Sequence, residues 1–138
     1  MSMSKKEMER FLSEGSIARI ATVKKDGSPH VAPVWFLWED GKLIMVTYKD
    51  SAKVKNLKGN NRVATVIDTA DPGKGVIIEG EAEISADKVE EITRKISAKY
   101  VKPEELDDYV ESTLETPMLV ITVSPKKVIT WDYSKGEE

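Results

Sequence analysis

The chain has 138 residues, of which 40% are hydrophobic and 33% charged, with a formal net charge of −3; this fits one globular domain over 1–138 and gives no basic footprint for nucleic acid. It has no cysteine and a single histidine, His30, so disulfides, thiolate chemistry, a histidine metal cluster and an independent nucleophilic triad are excluded. No apolar run reaches the length of a membrane span and MSMSKKEMER lacks a signal-peptide core, so a cytoplasmic protein with no membrane partner is expected.

In chain order, Ser4 and Glu7 form a capping box, Met8, Phe11 and Leu12 an apolar stripe, and Gly15 is placed to end this first helix. SIARIATV (16–23) and HVAPVWFLW (30–38) read as two strands joined at Asp26-Gly27. The second is apolar on both faces, so both are expected to be covered, and Pro33 demands an edge, bulge or break near its middle. Asp40-Gly41 then turns into LIMVTY (43–48), predicting a three-strand meander.

This third strand runs directly into a basic helix that Ser51 can cap, with Val54 and Leu57 on one face and Lys53, Lys55 and Lys58 around the rest. At such a helix start the first amides have no intrahelical acceptor and the dipole is positive. Backbone, Ser51 hydroxyl and Lys53 ammonium can therefore hold a phosphate monoester together. The same residues also describe a capped surface helix with solvated lysines. RVATVIDT (62–69) and VIIEGEAEI (76–84) are the next strands, with Gly80 marking a bulge or close backbone approach. Ser85 is placed to cap a helix presenting Val89, Ile92 and Ile96, and Pro103 opens another that carries Leu106, Tyr109, Val110 and Leu114 and whose acidic residues read as a solvated face. Two strands joined at Ser124-Pro125 (117–123 and 126–132) and a frayed tail from Tyr133 complete about seven strands. The class is α+β, mainly β: a small antiparallel barrel with flanking helices.

The blocks ARIATVKKDGSPHVAPVWF, LIMVTYKDSAKVKNLKGNNRVATV and VIIEGEAEI, in this order and spacing, resemble the pyridoxamine-5′-phosphate-oxidase-like flavoproteins, the FMN-binding split β-barrel family. The resemblance implies a homodimer with two flavin sites at its interface. By position it puts Ser51 and Lys53 on the cofactor phosphate, Val46, Thr47 and Tyr48 along the flavin, and Pro33, Val34 and Trp35 near the isoalloxazine ring. Trp131 resembles the aromatic that reaches the ring from the partner subunit. The phosphate corner reads Ser51-Ala52-Lys53 where pyridoxamine phosphate oxidases usually carry Ser-Arg-Lys, and the chain ends SPKKVITWDYSKGEE in place of a basic substrate-gripping segment. Both departures argue against vitamin B6 as substrate, and the PHVAPVWF strand and the short length resemble more closely the branch that uses FMN or the deazaflavin F420 on other small molecules.

The resemblance thus implies an FMN-dependent oxidoreductase acting on a small molecule, with an F420-dependent reductase or a non-enzymatic flavin or haem module as alternatives. A bound flavin would carry the redox chemistry, which suits a chain poor in catalytic side chains. His30 reads as a surface or hairpin residue in preference to a proton donor to reduced substrate, and Arg19 and Lys24 as solvated strand positions in preference to positive charge near the cofactor. Trp35 is preferred over Trp38 for the pocket, because the two fall on opposite faces of one strand. Base stacking by Trp35, Phe36 and Tyr48 is disfavoured by the net negative charge.

Overall fold

A computed structural model describes residues 1–14 and 16–136. Seven antiparallel strands form one sheet flanked by four α-helices, so the fold is α+β and mainly β. In chain order the elements are α1 (Lys5–Leu12), β1 (Ala18–Val23), β2 (Pro29–Val34), β3 (Leu37–Glu39), β4 (Lys42–Tyr48), α2 (Ala52–Gly59) and β5 (Arg62–Ala70). There follow β6 (Gly73–Ser85), α3 (Val89–Ser97), α4 (Leu106–Thr113) and β7 (Met118–Asp132). Short 3-10 turns stand at Pro103–Glu105 and Tyr133–Lys135. Among the described residues, no helix is long and apolar enough to cross a membrane.

Local signals form as expected where they are self-contained. Ser4 Oγ accepts from the Glu7 amide at 3.1 Å while Glu7 Oε1 accepts from the Ser4 amide at 2.8 Å, which completes the capping box of α1. The end expected for this helix at Gly15 lies outside the described residues. Asp40 and Gly41 both have positive φ, 55° and 73°, the backbone that a two-residue hairpin between β3 and β4 requires. The β6–β7 ladder slips between Glu79 and Gly80, where Lys126 of β7 is the extra residue, so the glycine marks a bulge in the partner strand and a close backbone approach.

Other expectations are corrected. The strand expected over 30–38 breaks at Trp35-Phe36 into β2 and β3, which lie at opposite ends of the strand order β2-β1-β5-β6-β7-β4-β3; there is no meander. Phe36 is fully buried, and anchoring it in the core turns the chain from one edge to the other. Because β2 is an edge strand, the donor that Pro33 lacks costs it little. Within the single chain the face of β2 that carries Pro29, Val31 and Pro33 is exposed, with Val31 at 66%, so the cover expected for it is not supplied by this chain itself. The two C-terminal strands are instead one long strand, β7. Its first half pairs with β4 and β6 together, and its run past Pro125 continues along β6 beyond the bulge. The count of seven therefore stands through two opposite errors.

Finally, α3 starts at Val89 rather than under a Ser85 cap: Ser85 Oγ accepts from the Asp87 amide at 2.9 Å and closes a turn ahead of the helix. The expected fray at Tyr133 is a 3-10 turn, held by Asp132 Oδ1 accepting from the Ser134 amide and by a 2.7 Å ion pair from Lys135 to Glu7; residues 137–138 lie outside the described residues.

The core runs through the barrel, with Ile20, Phe36, Leu43, Met45, Ile67, Ile78, Ile121 and Val123 fully buried, and Phe11 and Leu12 of α1 close one end. Val54 and Leu57 bury one side of α2. The Asn56 side chain ties this helix to β1 by donating to Thr22 Oγ1 at 3.0 Å.

Candidate functional site

The β4–α2 corner is built as its residues dictate. Tyr48 closes the strand, its carbonyl accepts from the Ser51 amide at 3.0 Å, and Ser51 Oγ caps α2 by accepting from the Val54 amide at 3.3 Å. Among the described residues the Ala52 and Lys53 amides have no protein acceptor, as expected of a helix start. Lys53 is half-buried with no carboxylate in ion-pair range among the described residues, and this burial lowers its pKa below the usual lysine value. A desolvated ammonium without a counter-ion gains from any anion that reaches it.

Lys53 faces a cavity of about 410 Å³ between the barrel and the C-terminal helices. Pro33, Val34 and Trp35 come to it from the end of β2, and Val46, Thr47 and Tyr48 from the end of β4. Seven of the nine positions named from sequence therefore meet in one place. Ser51 stands beside it, its oxygen engaged as the helix cap and its hydroxyl hydrogen still free to donate. Trp131 does not join them: it sits on β7 opposite Gly75, where an added Cβ would come within 2.5 Å of its Cζ2. Two larger depressions, of about 590 and 670 Å³, lie at Arg62, Glu79, Glu81, Lys126 and Lys127 and at Lys24, Lys25 and Lys55. Neither has an aromatic wall, so the smaller cavity at Lys53 is the better binding site.

Trp35 is aimed by the strand break. Where the ladder ends, the Phe36 amide donates to Tyr100 Oη at 3.4 Å, and its carbonyl accepts from Lys99 Nζ at 2.7 Å. Lys99 also lies 3.8 Å over the Phe36 ring, and burial holds its pKa down to about 8. The Tyr100 hydroxyl in turn donates to the Ser16 carbonyl at 2.6 Å. With the crossover clamped in this way, the Trp35 indole stacks on Tyr100 at 4.4 Å and on Tyr109 of α4 at 5.5 Å.

The remaining wall was missed from sequence. Ile17, Thr93, Ile96, Ser97, Tyr109, Thr113 and Met118 also line the cavity. The expected apolar stripe of α3 was Val89, Ile92 and Ile96, whereas the buried side is Thr93, Ile96 and Ser97, with Val89 and Ile92 only half-buried. A small hydroxylated pair at i and i+4 beside an isoleucine was the available signal. Tyr109, expected among the apolar residues of α4 with Leu106, Val110 and Leu114, lines the cavity and stacks on Trp35 while remaining 39% exposed. His30 does not line the cavity; it pairs across from Thr22 in the β1–β2 ladder. Among the described residues, no group of three or more His, Cys, Asp or Glu side chains could hold a metal.

A family model described as pyridoxamine 5′-phosphate oxidase matches residues 4–132. Among solved structures, a conserved hypothetical protein of Mycobacterium tuberculosis is 26% identical, with a TM-score of 0.83 over 96% of this chain and 87% of its own. A protein named F420 reductase is 24% identical, with a TM-score of 0.70 over 87% of this chain and 94% of its own. A FAD-binding protein of Mesorhizobium loti is 21% identical, with a TM-score of 0.67 over 94% and 95%. The last two likenesses show the fold alone. No curated protein matches the chain.

Proposed function

Because the chain belongs to the pyridoxamine 5′-phosphate oxidase family, we propose that it is a flavin-dependent oxidoreductase that binds FMN and acts on a small molecule other than pyridoxamine phosphate. The observation that carries this reading is Lys53: an unpaired, half-buried ammonium at the start of α2, opening on an apolar and aromatic cavity. The residues present fit the cofactor. Lys53, the free amides of Ala52 and Lys53 and the Ser51 hydroxyl suit a phosphate, and Val34, Trp35, Val46 and Met118 suit a flat apolar ring.

When bound, a flavin supplies hydride or electron transfer. This chain then contributes placement and dryness: Lys53 fixes one end, the clamped Trp35 walls the ring region, and Ile96 and Met118 keep water from it. Two chains would complete two sites. The exposed apolar edge at Pro29, Val31 and Pro33 supports pairing of protomers, with Trp131 reaching the partner's cavity. F420 in place of FMN is a second reading, favoured by the fold shared with a protein named F420 reductase.

The test is the visible spectrum of the purified protein, followed by fluorescence titration of apoprotein with FMN and with F420. A flavin spectrum or preferential FMN uptake supports the first reading, and preferential F420 uptake the second. Binding of either without turnover on any reductant and acceptor pair reduces the protein to a flavin-binding module. Binding of neither removes the mechanism.

A further inference from the structure

Thr93 is 3% exposed on α3, lines the cavity, and its Oγ1 has no hydrogen-bond partner among the described residues. A helical threonine ordinarily returns its hydroxyl to the carbonyl one turn back, as Thr113 of α4 does to the Tyr109 carbonyl at 2.9 Å. Thr93 does not. A buried hydroxyl left without a partner costs stability, and a threonine there is inferior to a valine of the same shape unless something enters the cavity to meet it. One turn on, Ser97 is 2% exposed and lines the same space, so two hydroxyls stand on one strip of α3 beside Ile96. The other walls are Val34, Trp35, Tyr109 and Met118, which offer an apolar and aromatic surface.

Taking its location from the flavin reading of this cavity, we infer that Thr93 Oγ1, with the Ser97 hydroxyl one turn away, is a hydrogen-bonding subsite for the acceptor edge of a planar ligand. Each hydroxyl donates to a carbonyl oxygen or ring nitrogen. The neutrality of the pair selects an uncharged polar edge, leaving the anionic end of a ligand to Lys53. Two sources carry such an edge: the flavin ring itself, and a quinone-like acceptor that takes electrons from it.

The experiment titrates the full chain, by tryptophan fluorescence, with lumiflavin, which is the ring without its phosphate arm, and separately with menadione. Wild type is compared with Thr93→Val and Thr93→Ser. The unliganded Thr93→Val protein melts at a higher temperature than wild type, yet binds at least one probe about tenfold more weakly, a loss in keeping with one hydrogen bond; Thr93→Ser retains wild-type affinity. Loss confined to lumiflavin assigns the subsite to the flavin ring, and loss confined to menadione assigns it to the acceptor. Ser97→Ala repeats the comparison from the next turn, so a folding defect in one variant does not decide it. Equal affinity of wild type and both hydroxyl-deleted variants for each probe overturns the inference, as does failure of wild type to bind either.

The flavin reading is scored separately on wild type with FMN and F420. A protein that takes FMN but is indifferent to Thr93→Val keeps its cofactor and loses this subsite. One that takes neither cofactor but holds menadione through Thr93 does the reverse.

Discussion

The β4–α2 corner and the α3–α4 wall face one cavity and are built in opposite ways. The corner is made by neighbours in sequence: Tyr48 receives the Ser51 amide, Ser51 caps the helix three residues on, and Lys53 follows within the first turn. The wall is made by residues far apart, since Tyr109 reaches back to Trp35, and Lys99 and Tyr100 reach the Phe36 backbone across the crossover. The corner leaves a charge without a partner, and the wall leaves a hydroxyl without one. A site assembled from both can hold an anionic end by local geometry and read a ring by tertiary packing. Damage to the two halves should therefore differ in kind.

The largest effect is expected at the crossover on which the wall depends. Phe36→Ala removes a fully buried ring, the cation–π partner of Lys99, and should cost about 4 kcal/mol of unfolding free energy in urea denaturation. It should also disturb the cavity, because the same backbone aims Trp35. At the corner the expected pattern is reversed: Lys53→Ala should weaken FMN binding by about 2 kcal/mol in a fluorescence titration while leaving the unfolding midpoint unchanged or raised. A Lys53→Ala protein that unfolds more easily but binds as before would erase the contrast.

A pH series sharpens it further. Burial lowers the Lys53 pKa in the free protein and a bound phosphate would raise it again, so cofactor binding takes up a proton as the pH climbs through the free-protein value. Once the phosphate monoester is mostly dianionic, affinity should therefore fall as the pH rises through the free-protein Lys53 value, and calorimetry in buffers of different ionisation heat should report the proton uptake there. Lys53→Ala should flatten both. The smallest effect is expected on the outer side of the wall: Arg94→Ala removes an exposed 2.6 Å ion pair to Asp107 and should change stability by no more than about 0.5 kcal/mol. A larger loss would mean that this pair, and not the Tyr109–Trp35 stack, positions α4.

The same contrast explains what could be read before the structure. Capping at Ser4 and Ser51, the Asp40-Gly41 turn and the Gly80 bulge follow from a few adjacent residues, and all are found. The seven cavity positions at Pro33 to Trp35, Val46 to Tyr48 and Lys53 were named because a family pattern lies along those same strands. What failed was decided elsewhere in the chain. Trp35-Phe36 looks like uninterrupted strand until Lys99 and Tyr100 supply the hydrogen bonds that let the ladder stop there. Ser124-Pro125 looks like a turn until Gly80 of β6, without a side chain, lets β7 bulge at Lys126 and run on beside it. Thr93 and Ser97 look like the polar flank of a helix until the barrel end is placed against them.

The most direct measurement is the affinity of the apoprotein for FMN beside that for riboflavin, the same ring without the phosphate, in wild type and in Lys53→Ala. A phosphate held at the start of α2 predicts that wild type prefers FMN by at least tenfold and that Lys53→Ala loses most of this preference. Equal affinity for FMN and riboflavin in wild type would contradict the account at its centre.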